Sequence, residues 1–137
     1  MKKIVIALCL GFAFTSCSES DDNDNVLVGK WFPQGVIING TNTAYEGNVA
    51  CGNDYLYLKD FNTFEIVDFY NNDEEPCSSQ KFYGSYTVLN NELKLIGSDF
   101  FQGGEIIEKS STQLKLKRMI DVNGDGTNDE VIEVFSK

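Results

Sequence analysis

The chain has no histidine. That absence removes Ser-His-Asp and Cys-His catalysis, His-ligated zinc and any imidazole-based pH switch. Positive charge is scarce as well: 11 Lys and Arg stand against 21 Asp and Glu, a formal net charge of −10 over 137 residues. Nucleic-acid binding needs clustered Lys and Arg on phosphates, so no nucleic-acid partner is expected. Anionic membrane surfaces are repelled for the same reason, and any membrane association has to be covalent or apolar. Also missing is an apolar run of the ~20 residues that a spanning helix requires. The run Ile4 to Phe14, after the basic start Met1-Lys2-Lys3, instead suits the core of a signal peptide. What the chain does have is 42% hydrophobic and 12% aromatic residues, which argues for one folded domain rather than a disordered protein.

The apolar run ends at Phe14-Thr15-Ser16-Cys17, which resembles a bacterial lipobox. The small Ser16 precedes a cysteine that would receive lipid, although Phe14 stands where leucine is usual. The organisation expected is a lipoprotein signal peptide over 1–16, a lipid-anchored acidic tether over 17–25 and one domain over 26–137. The alternative, ordinary secretory cleavage beside a coincidental Cys17, leaves an exposed thiol at the new terminus. Removal of Lys2 and Lys3 with the leader takes the net charge to about −12, which favours solubility. Ser18 to Asn25 has no apolar residue and reads as a disordered tether. Its Ser-plus-acidic composition resembles the signal that sends some Gram-negative lipoproteins to the outer face of the outer membrane. A plain solvated spacer, compatible with the periplasmic face, is the alternative. Several acyl chains on one cysteine anchor stably, at about 0.8 kcal/mol per buried methylene.

From Val26 onward the pattern is that of strands. Val26 to Ile38 forms a long first strand interrupted at Pro33, which points to an edge or a bulge. Asn39 to Ala50 is polar and small and reads as a long loop with room for a short helical turn. A period of two then runs from Asp54 through a turn at Asp60 to Asn62. It places Phe64, Ile66, Asp68 and Tyr70 on one face, so Asp68 is the one acid expected to point into the barrel, either as a ligand handle or where the register slips. After the acidic loop Asn71 to Gln80, strands follow over 82–89, 92–96, 105–109, 112–120 and 130–135. Asn90-Asn91 is a two-residue turn signal, since Asn tolerates positive φ. Eight antiparallel strands with short connections close most economically as an all-β, up-and-down barrel, and an open meander or sandwich is the rival.

At Gly29-Lys30-Trp31, Gly84-Ser85-Tyr86-Thr87-Val88 and the return strand Glu92-Leu93-Lys94-Leu95, the chain resembles the lipocalin-like domains of small bacterial lipoproteins. The resemblance covers about residues 26–136. It lacks the helix that follows the eighth strand in true lipocalins. It implies an eight-stranded barrel, a tryptophan (Trp31) packed across the closed end, and a binding role rather than an enzymatic one.

Two constellations remain. Cys51 and Cys77 lie in loops at one end of such a barrel, and export makes a disulfide between them the natural expectation, with free thiols or a metal pair as the alternative. Asp121, Asn123, Asp125, Thr127 and Asp129, with Gly126 sixth, match the opening of a calcium loop, but Ile132 occupies the position of the bidentate acid. A Gly- and Asn-rich hairpin turn explains the same residues, so Ca2+ is a candidate cofactor and no cofactor is required. The function expected is a lipid-anchored outer-membrane or cell-surface module for a small apolar or amphipathic ligand. The alternative is a protein-interaction or inhibitor module that recognises an extracellular partner through its disulfide-tied loops. No pair of carboxylates stands out as catalytic, and no enzymatic activity is expected.

Overall fold

The computed structural model of the chain describes residues 24–74 and 76–137. The segment expected to be a signal peptide, Cys17 and nearly all of the expected tether lie outside the described residues. The described chain opens with a helical turn, α1 (Asp24–Leu27), so Val26 and Leu27 are not part of the first strand as the pattern suggested. The strands are β1 (Gly29–Ile38), β2 (Thr41–Ala44), β3 (Tyr55–Lys59), β4 (Thr63–Tyr70), β5 (Ser78–Leu89), β6 (Glu92–Ile96), β7 (Gly103–Lys109), β8 (Gln113–Ile120) and β9 (Asp129–Ser136). Each pairs antiparallel with its neighbour, and β1 pairs with β9 to close the sheet. The result is an eight-stranded antiparallel barrel with β2 appended to it.

β2 replaces the loop or helical turn expected after Asn39. Asn39 and Gly40 both take positive φ, which turns β1 back on itself as a hairpin. Pro33 is the other cause of this local departure. It has no N–H to give to the ladder, and the β1–β9 register shifts between Pro33 and Gly35. Before the bulge β1 pairs with β3, through Gly29, Lys30 and Trp31; beyond it, the same edge of β1 pairs with β2. The barrel wall therefore parts between β1 and β3 towards one end.

Alternate residues fill the interior. Leu56 and Leu58 of β3, Phe64 and Ile66 of β4, Leu93 and Leu95 of β6, and Leu114 and Leu116 of β8 form one continuous core. Gly84 is what lets this core close. A Cβ there would lie 2.0 Å from the Ile96 carbonyl oxygen and 2.7 Å from the Phe64 ring, so only glycine permits the approach of β6 and Phe64.

The two ends of the barrel differ. At the end where α1 enters, Trp31 is wholly buried, and its indole N–H donates to the Leu27 carbonyl at 2.7 Å. The Lys137 ammonium donates to the Val26 carbonyl at 2.7 Å and stands 4.7 Å from the centre of the Trp31 ring. Burying a tryptophan removes about 200 Å² from water, worth roughly 5 kcal/mol, so this end is sealed by structure rather than held open for a ligand. The hairpin turns at 60–62 and 90–91 lie at the same end, and Asn90 and Asn91 take the positive φ that their sequence suggested. The opposite end carries the longer connections: 39–54, 71–77, 97–102 and 121–128.

Candidate functional site

The open end holds a cavity of about 200 Å³ between β1, β3, β4, β8, β9 and the 97–102 connection. Its floor is apolar, with Leu56 and Ile66 paired across β3 and β4 and Phe101 and Phe135 packed 6.2 Å apart between ring centres. Phe101 reaches this position because the β6–β7 connection folds back over the barrel, tied by the Phe101 N–H donating to the Ser98 hydroxyl at 3.3 Å. Phe100, next to it, is exposed and stacks on Phe82 with a 5.0 Å centroid separation.

Polar side chains enter this apolar cup at two places. On one side, Arg118 of β8 and Glu133 of β9 both point inward and pair through the guanidinium Nη2 and the carboxylate Oε1. Both sit on the core-facing alternation, Arg118 after Leu114 and Leu116, Glu133 between Val131 and Phe135. Room for the Arg118 stem comes from Gly104, where a Cβ would lie 2.9 Å from Arg118 Cγ. The guanidinium carbon stands 4.9 Å from the centre of the Phe101 ring. The pairing is incomplete: Arg118 Nε and Glu133 Oε2 are shielded from solvent and have no hydrogen-bond partner among the described residues. Burial pushes the Glu133 carboxyl above its ordinary pKa, and the neighbouring Arg118 only partly offsets this.

On the other side, Asp54 is buried directly before β3. It accepts the Phe69 N–H at 2.5 Å and the Tyr45 hydroxyl. Asp54 thereby pins the 45–54 connection to β4, and burial together with the Asp54 charge raises the Tyr45 hydroxyl pKa. Asp68 stands beside it on the inward face of β4. Its carboxyl is also pushed up, first by burial and then by the like charge of Asp54. The structure thus agrees with the placement of Asp68 from its alternation with Phe64 and Ile66.

Cys51 and Cys77 form the expected disulfide, with Cα atoms 4.7 Å apart. It joins the 45–54 connection to the 71–77 connection, three residues before Asp54, at the rim of the cavity.

The remaining candidate, the 121–129 loop, lies at the same end but is turned in on itself. Asp121 accepts the N–H groups of Gly124 at 2.7 Å, Asp125 at 3.2 Å and Gly126 at 2.8 Å. Asp125 accepts the Thr127 N–H at 2.7 Å and the Asn123 side-chain amide at 3.0 Å. Asp129 accepts from Asn39 at 2.6 Å and from the Val122 N–H at 3.3 Å. These bonds hold the Asp121 and Asp125 carboxyls below their ordinary pKa. Gly124 and Gly126 take positive φ, as a tight turn requires. Among the described residues no group of three or more acidic, cysteine or histidine side chains is arranged to hold a metal.

Arg118, Glu133, Asp54 and Tyr45 were not singled out from the sequence as cavity groups. A signal was present for the first two, since each is a charged residue on an otherwise apolar inward stripe. Tyr45 and Asp54 carried no such mark, because their meeting depends on the path of the 45–54 connection.

A closed antiparallel barrel, sealed by a tryptophan at one end and hollowed at the other, defines a small-ligand binding module of the lipocalin type. The family model for the lipocalin-like domain matches residues 27–116, and the chain belongs to that family. No curated protein matches it in sequence. The matched stretch supplies Asp54 and Asp68; Arg118 and Glu133 fall beyond it.

Proposed function

We propose that the protein is a lipid-anchored binding module that takes a small apolar or amphipathic ligand into the open-end cavity. The observation that carries this reading is the cavity itself: about 200 Å³ with an apolar floor and polar groups gathered at its edges. Binding sites of small molecules have this distribution, in which apolar area supplies affinity and a few polar groups fix orientation. The volume corresponds to about seven waters, so the ligand is compact. The site offers binding groups and no activated nucleophile, and the reading assigns no catalytic step to it.

The anchor in this reading is lipid on Cys17, at the outer membrane and facing the cell surface, with the periplasmic face as the alternative. The Cys51–Cys77 disulfide supports an oxidising compartment. The described chain starts at the sealed end, so attachment through residues preceding α1 leaves the cavity mouth on the far side from the membrane.

Thermal melts of the protein with and without 1-octanol test the binding reading. The alcohol is expected to raise Tm, and Val36→Phe, which fills the cavity from β1, is expected to abolish the shift while the barrel still folds. An octanol shift that survives Val36→Phe would sink the assignment to this cavity. For the anchor, Cys17→Ser should release the protein from the membrane fraction; unchanged fractionation would refute acylation at that residue.

A further inference from the structure

We infer that the open-end cavity selects a compact organic cation, a primary amine on an apolar body of about ten non-hydrogen atoms or fewer, with Asp68 as the carboxylate that receives the ammonium group. The inference rests on the binding reading above and adds the chemical class of the ligand.

Charge is the first reason. Four ionisable groups other than tyrosine line the cavity: Asp54, Asp68, Glu133 and Arg118. Three carboxylates against one guanidinium leave the lining net negative, so an anion entering it meets repulsion and a cation does not.

The second reason is which groups are already engaged. The Arg118 charge is engaged by Glu133 and by the face of Phe101, which leaves its Nε as one unpaired donor against three carboxylates in the lining. Asp54 is occupied by Tyr45 and by the Phe69 N–H. Asp68 has neither a hydrogen-bond donor nor a cation paired with it among the described residues. It is partly buried in the cavity wall, next to the Asp54 carboxylate and across the ladder from Gln80. A carboxyl in that position is disfavoured as a charge in the empty protein, and a cation beside it removes the cost. Glu133 Oε2 is a second acceptor without a donor, on the other side of the same cavity.

The third reason is the wall. Aromatic rings from Phe100, Phe101 and Phe135 line the same cavity. Ring quadrupoles attract cations and repel anions, and the preference is greater where water is excluded. The chain's net charge of −10 acts in the same direction at longer range by concentrating cations around the protein.

The test uses three ligands with one tail: octylamine, 1-octanol and octanoate, titrated calorimetrically at neutral pH into the full chain carrying Cys17→Ser, so that no acyl chain or detergent competes. The expected order is octylamine tightest, about tenfold over octanol, with octanoate weakest. Asp68→Asn is expected to bring octylamine to within about threefold of octanol and to leave octanol itself unchanged. Glu133→Gln frees Arg118 and is expected to improve octanoate. Equal affinity for all three ligands, or tightest binding of octanoate, overturns the inference and leaves the binding reading standing. An amine preference that survives Asp68→Asn in a folded variant overturns the role of Asp68. Failure of all three ligands to bind the Cys17→Ser chain refutes the binding reading itself. The comparison among ligands needs no variant at Asp68, so the outcome is decided even if Asp68→Asn does not fold.

Discussion

Replacing both Cys51 and Cys77 by serine is expected to cost the protein much of its stability and to loosen the rim of the cavity. The disulfide spans 26 positions of sequence, and the chain-entropy relation for a closed loop of that size gives about 3.5 kcal/mol. For a domain of this length each kcal/mol corresponds to about 4 °C, so Tm is expected to fall by about 14 °C. The loss reaches beyond the two sulfurs, because the bonded segment leads directly into Asp54. Without the covalent tie, two hydrogen bonds remain between the 45–54 connection and β4 at that point, the Phe69 N–H to Asp54 and the Asn48 amide to the Phe69 carbonyl at 3.2 Å. Thermal melts of the wild type with and without a thiol reductant, beside the double-serine variant, read this directly. The reduced wild type and the variant should coincide, and both should bind octanol more weakly at temperatures where they remain folded. A drop of less than about 1 kcal/mol would mean that the unfolded chain is restrained by something else, and the entropic argument would fail.

Trp31→Phe removes the indole bond to the Leu27 carbonyl and part of the plug at the sealed end; a loss of about 2–3 kcal/mol in urea unfolding is expected, with ligand affinity retained. Lost affinity at unchanged stability would place Trp31 in the binding site instead. Asp121→Ala strips three backbone N–H groups of their acceptor and should lower Tm by a similar amount in calcium and in chelator. A loss seen only in calcium would establish the 121–129 loop as a metal site. Asp68 supplies a pH test: its pKa is raised in the folded chain, so the native state holds the proton more tightly than the unfolded one, and stability declines as pH rises above the ordinary carboxylate value of about 3.9. Asp68→Asn should therefore gain on the wild type in Tm at pH 7 and show no advantage at pH 3; an equal difference at both values would exclude titration of Asp68 as the cause.

Much of the barrel was legible because the inward face demands an apolar residue at every second position, and the sequence supplies it from Leu56 to Phe135. The turn at Asn90-Asn91 was legible for a local reason, the tolerance of Asn for positive φ. β2 was not, since Thr41 to Ala44 is exposed along its whole length and has no apolar face to announce it. The signal that marked it was Asn39-Gly40, a strong hairpin dipeptide set inside what reads as a polar loop. Of the cavity, Asp68 was legible from strand alternation alone. Arg118 and Glu133 break the same rule, and each reads as a register slip until the other is seen beside it. Tyr45 and Asp54 depend on a ten-residue connection whose course no periodicity encodes.

The position of the cavity follows from a single covalent constraint near the start of the barrel. A proline in a strand that must pair on both edges cannot complete the ladder, and here β1 bulges at Pro33 and exchanges β3 for β2 as its partner. The wall parts on the side where Asp54 and Asp68 lie, while β8 and β9 stay in register on the other side and bring Arg118 against Glu133. The disulfide then fixes the parted side from above. Charged groups inside a barrel cost stability, and among the described residues none is buried at the sealed end. That the inward-facing acids of β4 and β9 and the arginine of β8 gather around this opening fits a site kept for binding at the expense of the core. Restoring a strand-compatible Val at position 33 separates the two roles: if the bulge makes the mouth, Pro33→Val should extend the β1–β3 ladder, slow amide exchange at Tyr55 and Leu56, and weaken octanol binding. Slowed exchange with undiminished binding would show that the opening does not depend on the proline.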